Sequence, residues 1–373
     1  MSGIYIHVPF CRKACHYCDF HFSTNFQLKE KMLQAMEKEM RWQTNYFSDT
    51  IQTIYFGGGT PSVLSAQELT QLLASIQQTF DVSPTAEITL EANPDDLSLE
   101  KLTELKSAGI NRLSIGIQTF NDEYLVKMNR SHNAKQAVDC VKSAQATGFD
   151  NITIDLIYAI TEDSWDIWKK DVETALKLNT QHVSAYSLTI EEKTVFGNWA
   201  KKGKLELVED DFSADQFEYL IEELTKNGFD HYEVSNFGKP GFHSLHNTNY
   251  WKQVHYLGIG PGAHSFNGTT RHFNIESNPK YIKAINSGHQ AYELERLTKE
   301  QQINEFVMTS VRTMWGCDLE TLQSKFGINL KEIKKEEISV LEKHQLIEKS
   351  KDYIKASKKG ILQADYIAQT LFL

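Results

Sequence analysis

The chain has 373 residues, more than one compact core of usual size accommodates, so a large domain and a smaller one are expected. It is 40% hydrophobic and 24% charged, the balance of a folded globular protein rather than a disordered one. A net charge of -10 argues against a non-specific nucleic-acid binder, which needs a basic footprint.

Short β-rich runs alternate with amphipathic stretches through the first two-thirds of the chain. The strands are GIYIHV (3–8), TIYF (53–56), EITLE (87–91), RLSIGIQ (112–118), NITIDLIY (151–158) and HVSAYSL (182–188). They are rich in Ile, Val, Tyr and Thr and mostly too short for helices. Apolar spacing predicts helices over 28–40, 66–80, 99–109, 134–148 and 164–178, several of them ending at Gly. Ser65 and Ser98 stand at N-cap positions, and Ser65 with Glu68 forms a capping-box pattern.

Six β/α units in a row imply a parallel sheet. Distinctive residues follow successive strands: the clustered cysteines, then Gly57-Gly58-Gly59-Thr60-Pro61, then Glu91 and Asn93, then Gln118. Asp155 lies within the fifth strand. A β/α barrel gathers such positions on one face, whereas an open sheet spreads them along a line. The expected fold is therefore α/β, a partial six-unit TIM-like barrel spanning 1–235. A further helix is expected over 209–229. Residues 236–275, rich in Gly, His, Asn and aromatics, read as loops and short strands, so 236–295 is taken as a connecting segment. Residues 296–373 read as a smaller, mainly helical domain of winged-helix character.

No apolar run approaches the roughly 20 residues that span a bilayer, so at most peripheral membrane contact is expected. MSGIYIHVPF lacks the charged and apolar regions of a secretory signal. Five cysteines, three of them crowded together, do not form a disulfide framework. Together these fit a reducing cytoplasm. Cys140 and Cys317 stand apart and read as buried small hydrophobes.

Cys11, Cys15 and Cys18 have the spacing C-x3-C-x2-C. Structural zinc takes four ligands, and His16 or His21 could supply the fourth. Thiolates also bind iron–sulfur clusters, and a cubane normally takes four. Three thiolates leave one iron open to a chelating small molecule.

The run from Tyr5 through His7, Pro9, Phe10 and the three cysteines resembles the cluster motif of the radical S-adenosylmethionine (SAM) superfamily. The likeness continues through YFGGGTPS (55–62), LEANPDD (90–96), GINRLSIGIQTFND (109–122), MNRSH (128–132), SAYSLTIE (184–191), HYEVSNF (231–237), HNTNYW (246–251) and GIGPGAHSF (258–266). It is closest to the branch containing the oxygen-independent coproporphyrinogen III dehydrogenases and the HemW haem chaperones. The resemblance implies a [4Fe-4S] cluster on Cys11, Cys15 and Cys18, with SAM chelating the free iron. It also implies SAM contacts from Tyr5, Tyr17, Gly58, Gly59, Thr60, Glu91, Gln118, Arg130 and Asp155. The glycines would admit close backbone approach, and the charged groups would bind ribose hydroxyls, ammonium or carboxylate. GIGPGA superficially resembles a dinucleotide fingerprint. The residues that follow do not start a helix, so it reads as a tight turn lining the site.

Two features separate the chain from the dehydrogenases. Their motif continues to a further cysteine where this chain has Phe20, and their long N-terminal extension has no counterpart in the ten residues before Cys11. His246-Asn247-Thr248-Asn249-Tyr250 fits the His-Asn-x-x-Tyr motif of the HemW family, which implies haem contacts from His246 and Tyr250. One departure stands out: after DLIY the branch usually has Gly-Leu-Pro-Gly, and here the chain reads Ala159-Ile160-Thr161-Glu162. The resemblance thus implies a chaperone carrying haem as cargo to acceptor proteins. An electron donor is implied if SAM is cleaved, and a homodimer is compatible with the reading. The alternative is the dehydrogenase activity, oxidative decarboxylation of porphyrinogen propionates.

Overall fold

Alternation along the parallel strands decides what each face of the sheet meets. The computed structural model describes residues 2–161 and 164–373. Strands β1 (Ser2–Val8), β2 (Ile51–Gly58), β3 (Val82–Ala92), β4 (Arg112–Gln118), β5 (Ile152–Tyr158) and β6 (His182–Ser187) pair in sequence and in parallel. One face of each is apolar and buried: Ile4, Ile6, Val8, Ile54, Phe56, Leu113, Ile115, Ile154 and Leu156. Helices α1 (Lys29–Trp42), α2 (Ala66–Thr79), α3 (Leu99–Ser107), α4 (Asp122–Lys127), α5 (Ala134–Ala146) and α6 (Trp165–Leu178) lie between these strands in the chain. Helices α7 (Val195–Lys201) and α8 (Asp210–Lys226) follow β6. Contacts pass from α1 to α2, α3, α5, α6 and α8 in turn, forming a shell around the sheet. The opposite positions of the strands carry Tyr5, Tyr55, Glu91, Ser114, Asp155 and Ser184, so the inner face is largely polar.

The alternating β/α reading and its capping signals match the structure. Ser98 accepts from Lys101 N, and Ser65 and Glu68 close a capping box. Residues after 236 play a larger part than their reading as loops and short strands suggested. Strand β7 (Asp230–Glu233) pairs with β8 (Asn236–Gly238), and β8 runs antiparallel to β6. The segment HNTNYW forms helix α9 (Leu245–Trp251). Strand β9 (His255–Ile259) then pairs in parallel with β1 on its free side. Strands β10 (His264–Phe266), β11 (Thr270–Asn274) and β12 (Tyr292–Arg296) continue the sheet in antiparallel fashion. The result is one 12-stranded sheet with β12 and β7 at its ends, curved into a barrel that does not close by strand pairing.

Helix α10 (Asn278–Asn286) packs on α1. Helix α11 (Lys299–Ser310) leads into a second apolar core with its own three-stranded sheet and the terminal helix Ala364–Leu371. Met314 N donates to Tyr232 O at 3.0 Å, tying this part to β7. Cys140 and Cys317 are buried. Among the described residues, no helix is long and apolar enough to cross a membrane.

Two local features carry consequences. Glu39 of α1 is 3% exposed and accepts from Gly260 N at 2.9 Å, Asn274 Nδ2 at 2.8 Å and Tyr281 Oη at 2.5 Å. It binds the turn after β9 to the helical shell. Burial pushes its carboxyl up to about 7 despite these donors. Gln118 ends β4 at a register shift with φ of +71°, a conformation that disfavours a side chain. Ala159 has φ of +55°, which gives a physical reason for the glycine usual there in the branch. Glu162, the last residue of that departure, lies outside the described residues.

Because Glu39 has a folded-state value above the ordinary carboxylate range, its contribution to stability is full below pH ~4.5 and declines as pH rises through about 7. Urea unfolding from pH 5 to 8 should show a decline on the order of 1–3 kcal/mol, which Glu39→Gln abolishes, its deficit against the parent being largest at pH 5. At the β4 end, Gln118→Gly should be more stable than Gln118→Ala by about 1 kcal/mol, because only glycine relieves the left-handed backbone. Equal unfolding midpoints for the two variants would remove the strain argument.

Candidate functional site

The loop after β1 folds back on itself before it presents its thiols. Cys11 N donates to Ser23 O at 3.1 Å and Ser23 N to Pro9 O at 2.9 Å. The Gly57–Thr60 turn after β2 docks against this loop, with Gly59 N bonded to Val8 O at 2.9 Å and Thr60 N to Phe10 O at 2.8 Å. A Cβ on Gly59 would fall 2.8 Å from the Val8 and Phe10 carbonyl oxygens. The glycine is therefore required by the cysteine loop itself. Gly58, with φ of +105°, abuts the His7 ring.

The three thiols share a cavity of about 640 Å³ with Tyr17, Gly58, Gly59, Thr60, Glu91, Gln118, Arg130 and Asp155. These residues come from the loops and C-terminal halves of successive strands, where a β/α barrel concentrates its chemistry. Eleven of the fourteen site residues expected from the sequence thus meet in one place. Tyr5, His246 and Tyr250 do not line the cavity wall; Tyr5 bonds His7 Nδ1 at 3.2 Å deeper in the barrel. The GIGPGA turn does not line this cavity either, contrary to expectation. Its Gly260 N–H is committed to Glu39.

Arg130 is the hub of the site. Nη1 donates to Cys15 Sγ and to the Tyr17 hydroxyl, each at 3.4 Å, and Nη2 to Asn93 Oδ1 and Gly116 O, each at 2.6 Å. Its Nε is buried without a hydrogen-bond partner, as is that of Arg112, which also lines the cavity. Thr60 Oγ1 donates to Cys11 Sγ at 3.3 Å. Burial pushes the Cys11 thiol up to about 12, against the pull of Thr60, and the Cys18 thiol up to about 11. Left free, the Cys11 and Cys18 thiols are therefore protonated, and a positive centre is what would hold them as thiolates.

Glu91 accepts from the Tyr55 hydroxyl at 2.8 Å and from Gly58 N at 3.2 Å. Burial, aided by the neighbouring charge of Asp155, pushes Glu91 up to about 7. Asp155 accepts from Ser114 Oγ at 3.2 Å, and burial pushes it up to about 6, opposed by Ser184, Ser114 and the Arg112 and Arg130 charges. Two carboxylates that ionise near neutrality suit a cationic or hydroxyl-rich ligand.

The zinc alternative loses its fourth ligands. His16 bonds Lys127 O at 2.9 Å and packs on Trp199, while His21 bonds Asn278 at 2.8 Å. Among the described residues, no three His, Cys, Asp or Glu side chains are grouped to hold one metal ion. Cluster thiolates bind separate irons and need not converge on one point. Unpaired donors and a crowded donor set on one cavity fit a thiolate-held cluster with a polar ligand beside it.

Several wall residues escaped the sequence reading: Tyr55, Arg112, Ser114, Ser184 and Tyr186. Counting in twos back along the strand from Gly57 reaches Tyr55, and from Gly116 reaches Ser114 and Arg112. Phe20, where the dehydrogenases carry a cysteine, lines the cavity rim and is 73% exposed.

A model of the radical SAM superfamily matches residues 5–175, and one of the HemN C-terminal domain matches 297–362. The heme chaperone HemW of Lactococcus lactis is 40% identical over 96% of this chain and 94% of its own length. That of Bacillus subtilis is 38% identical over 88% of each chain, and that of Mycobacterium tuberculosis H37Rv 32% over 99% and 94%. The solved structure of the Escherichia coli coproporphyrinogen III oxidase, a radical SAM enzyme, superposes with a TM-score of 0.86. It covers 100% of this chain and 90% of that one, and at 22% identity it speaks to fold alone. With identity of this order sustained along nearly its whole length, the chain belongs to the HemW family of the radical SAM superfamily.

Proposed function

We propose that this chain binds haem and passes it to acceptor proteins, and that its barrel carries a [4Fe-4S] cluster on Cys11, Cys15 and Cys18 with SAM beside it. The observation that carries the cofactor reading is the meeting of three thiols, Glu91, Gln118, Arg130 and Asp155 on one cavity. The cargo reading comes from the named function of the relatives. If SAM is cleaved, the reduced cluster held by Cys11, Cys15 and Cys18 would supply the electron, and an external electron donor would be required.

The chain's own residues prepare that site. Arg130 is already anchored through Nη1 and Nη2 and keeps a donor for a carboxylate. Glu91, fixed by Tyr55 and Gly58, offers a carboxylate to an ammonium or a ribose. Glu91 and Asp155 sit deep in the cavity, away from most bulk water, which strengthens these attractions. Phe20 at the rim places an apolar ring where a further thiol would favour the dehydrogenase reading. A cytoplasmic location and an acceptor drawn from haem-requiring proteins complete the proposal.

Anaerobic reconstitution should yield about four irons and four sulfides per chain, and serine at Cys11, Cys15 or Cys18 should abolish them. A haemin titration should then saturate without coproporphyrinogen III being consumed. Conversion of that porphyrinogen with release of 5′-deoxyadenosine would instead establish the dehydrogenase. Because Glu91 ionises near pH 7, SAM affinity should rise about tenfold from pH 6 to pH 8. In Glu91→Gln it should be weaker and flat with pH. A pH-independent affinity in the parent protein would remove Glu91 from the SAM site.

A further inference from the structure

The His246–Tyr250 motif was expected at a haem, yet its imidazole is 2% exposed and already occupied. His246 Nδ1 hydrogen-bonds Thr53 Oγ1 at 2.8 Å, and Nε2 hydrogen-bonds the Tyr250 hydroxyl at 2.9 Å. The two motif residues are four apart on α9, one helical turn, so the second bond follows from the helix itself. The ring stacks on Tyr55 at 5.0 Å and lies 6.4 Å from Tyr5. Its space is set from below as well: a Cβ on Gly3 would come within 3.3 Å of the imidazole. Gly3 and Thr53 belong to the N-terminal parts of β1 and β2, opposite the end that carries the cysteine loop.

Helix α9 is anchored there by charge. Glu87 of β3 accepts from Leu245 N at 3.2 Å and His246 N at 3.1 Å and faces the Arg112 guanidinium at 3.8 Å. Asn247, between the two motif residues, does reach the cavity wall. The helix thus closes the cavity from beneath. A chain of contacts runs from His246 through the stacked Tyr55 ring to Glu91, which the Tyr55 hydroxyl holds at 2.8 Å.

We propose that His246 and Tyr250 are positioning residues that floor the cavity and hold the Tyr55–Glu91 pair, and that His246 is not an iron ligand for haem. Iron at Nε2 would have to displace the Tyr250 hydroxyl and enter a space walled by Tyr5, Tyr55 and Gly3. Burial also holds the imidazole down to about 3, so it stays neutral and divides its two nitrogens between one donor and one acceptor. Both partners are hydroxyls, which can serve either tautomer.

The positioning half of this inference rests on the assignment of Glu91 to SAM; the ligand half does not. The test uses the reconstituted full-length protein with Thr53→Val, His246→Gln and Tyr250→Phe. Each is titrated with haemin, followed by its Soret band and its iron EPR, and with SAM by equilibrium dialysis. The expected result is unchanged haemin stoichiometry and spectra, with SAM affinity lowered roughly five- to twenty-fold, the loss of about one ordering hydrogen bond at a charged group, and a lower melting temperature. A changed haem spectrum in His246→Gln, with SAM affinity and melting temperature as in the parent, overturns the proposal. Should His246→Gln fail to fold, Thr53→Val and Tyr250→Phe decide, since they leave the imidazole in place. Parental SAM affinity and stability in both variants also overturn it. A parent protein that takes up no SAM sinks the Glu91 assignment instead, and the haemin comparison still decides the ligand question.

Discussion

A parallel sheet with a polar inner face persists only if nearly every inward group finds a partner. An unpaired buried donor or acceptor costs on the order of 1–3 kcal/mol, and this barrel carries such groups on nearly every strand. At the N-terminal end many of them pair with one another, although Arg112 Nε and Thr89 Oγ1, neighbours in register there, keep no hydrogen-bond partner. Glu87 serves Arg112 and two helix N–H groups, Arg112 reaches Thr153, Thr153 bonds His182 at 3.1 Å, and His182 bonds Tyr232 at 2.8 Å. At the C-terminal end Arg130 Nε is likewise left without a partner. The unpaired Arg112 and Arg130 nitrogens both belong to residues that line the cavity, where a ligand has room.

The order of strands and helices was legible because each element carries its own local signal. Ser65 and Glu68 announce α2, and the Ile-rich alternation of NITIDLIY gives β5 within one residue. Eleven site residues were found together because their motifs follow successive strands. Helix α9 was not legible. Ser, His, Asn and Thr are weak helix formers that favour caps and turns, and its first N–H groups lean on Glu87, a residue some 160 positions earlier. Strand β9 looked like a fragment because its partner, β1, lies at the other end of the sequence. Such pairing has no local signature, and it adds a seventh parallel strand to the six expected.

The glycine turn at 57–60 shows how a correct residue can carry an incomplete reason. Its glycines were expected to admit a ligand. Gly59 instead lies against the backbone of the cysteine loop, with no room for a Cβ. The turn and the loop are one unit, stitched by Gly59 N, Thr60 N and the Thr60 hydroxyl on Cys11. The thiols therefore sit on a braced platform rather than a free loop, and Gly58 N extends that brace to Glu91.

The floor of the cavity is braced from outside the barrel as well. Lys252, just past α9, sets its ammonium 4.2 Å from the Trp315 ring centre. Tyr232, whose carbonyl accepts from Met314 N, also receives Ser244 N on its hydroxyl at 3.3 Å. Helix α9 is therefore held between the inward face of the sheet and the chain leading into the C-terminal core. A change in how that core seats on β7 bears on Tyr232 and α9 before it reaches any strand that carries the thiols. His246 and Tyr55 link α9 to Glu91 by a ring contact and a hydrogen bond, whereas Cys11, Cys15 and Cys18 follow the opposite end of β1. The two halves of the cavity thus answer to different supports: the thiol platform to β1, β2 and Arg130, and the carboxylate side to the floor helix and the domain beneath it.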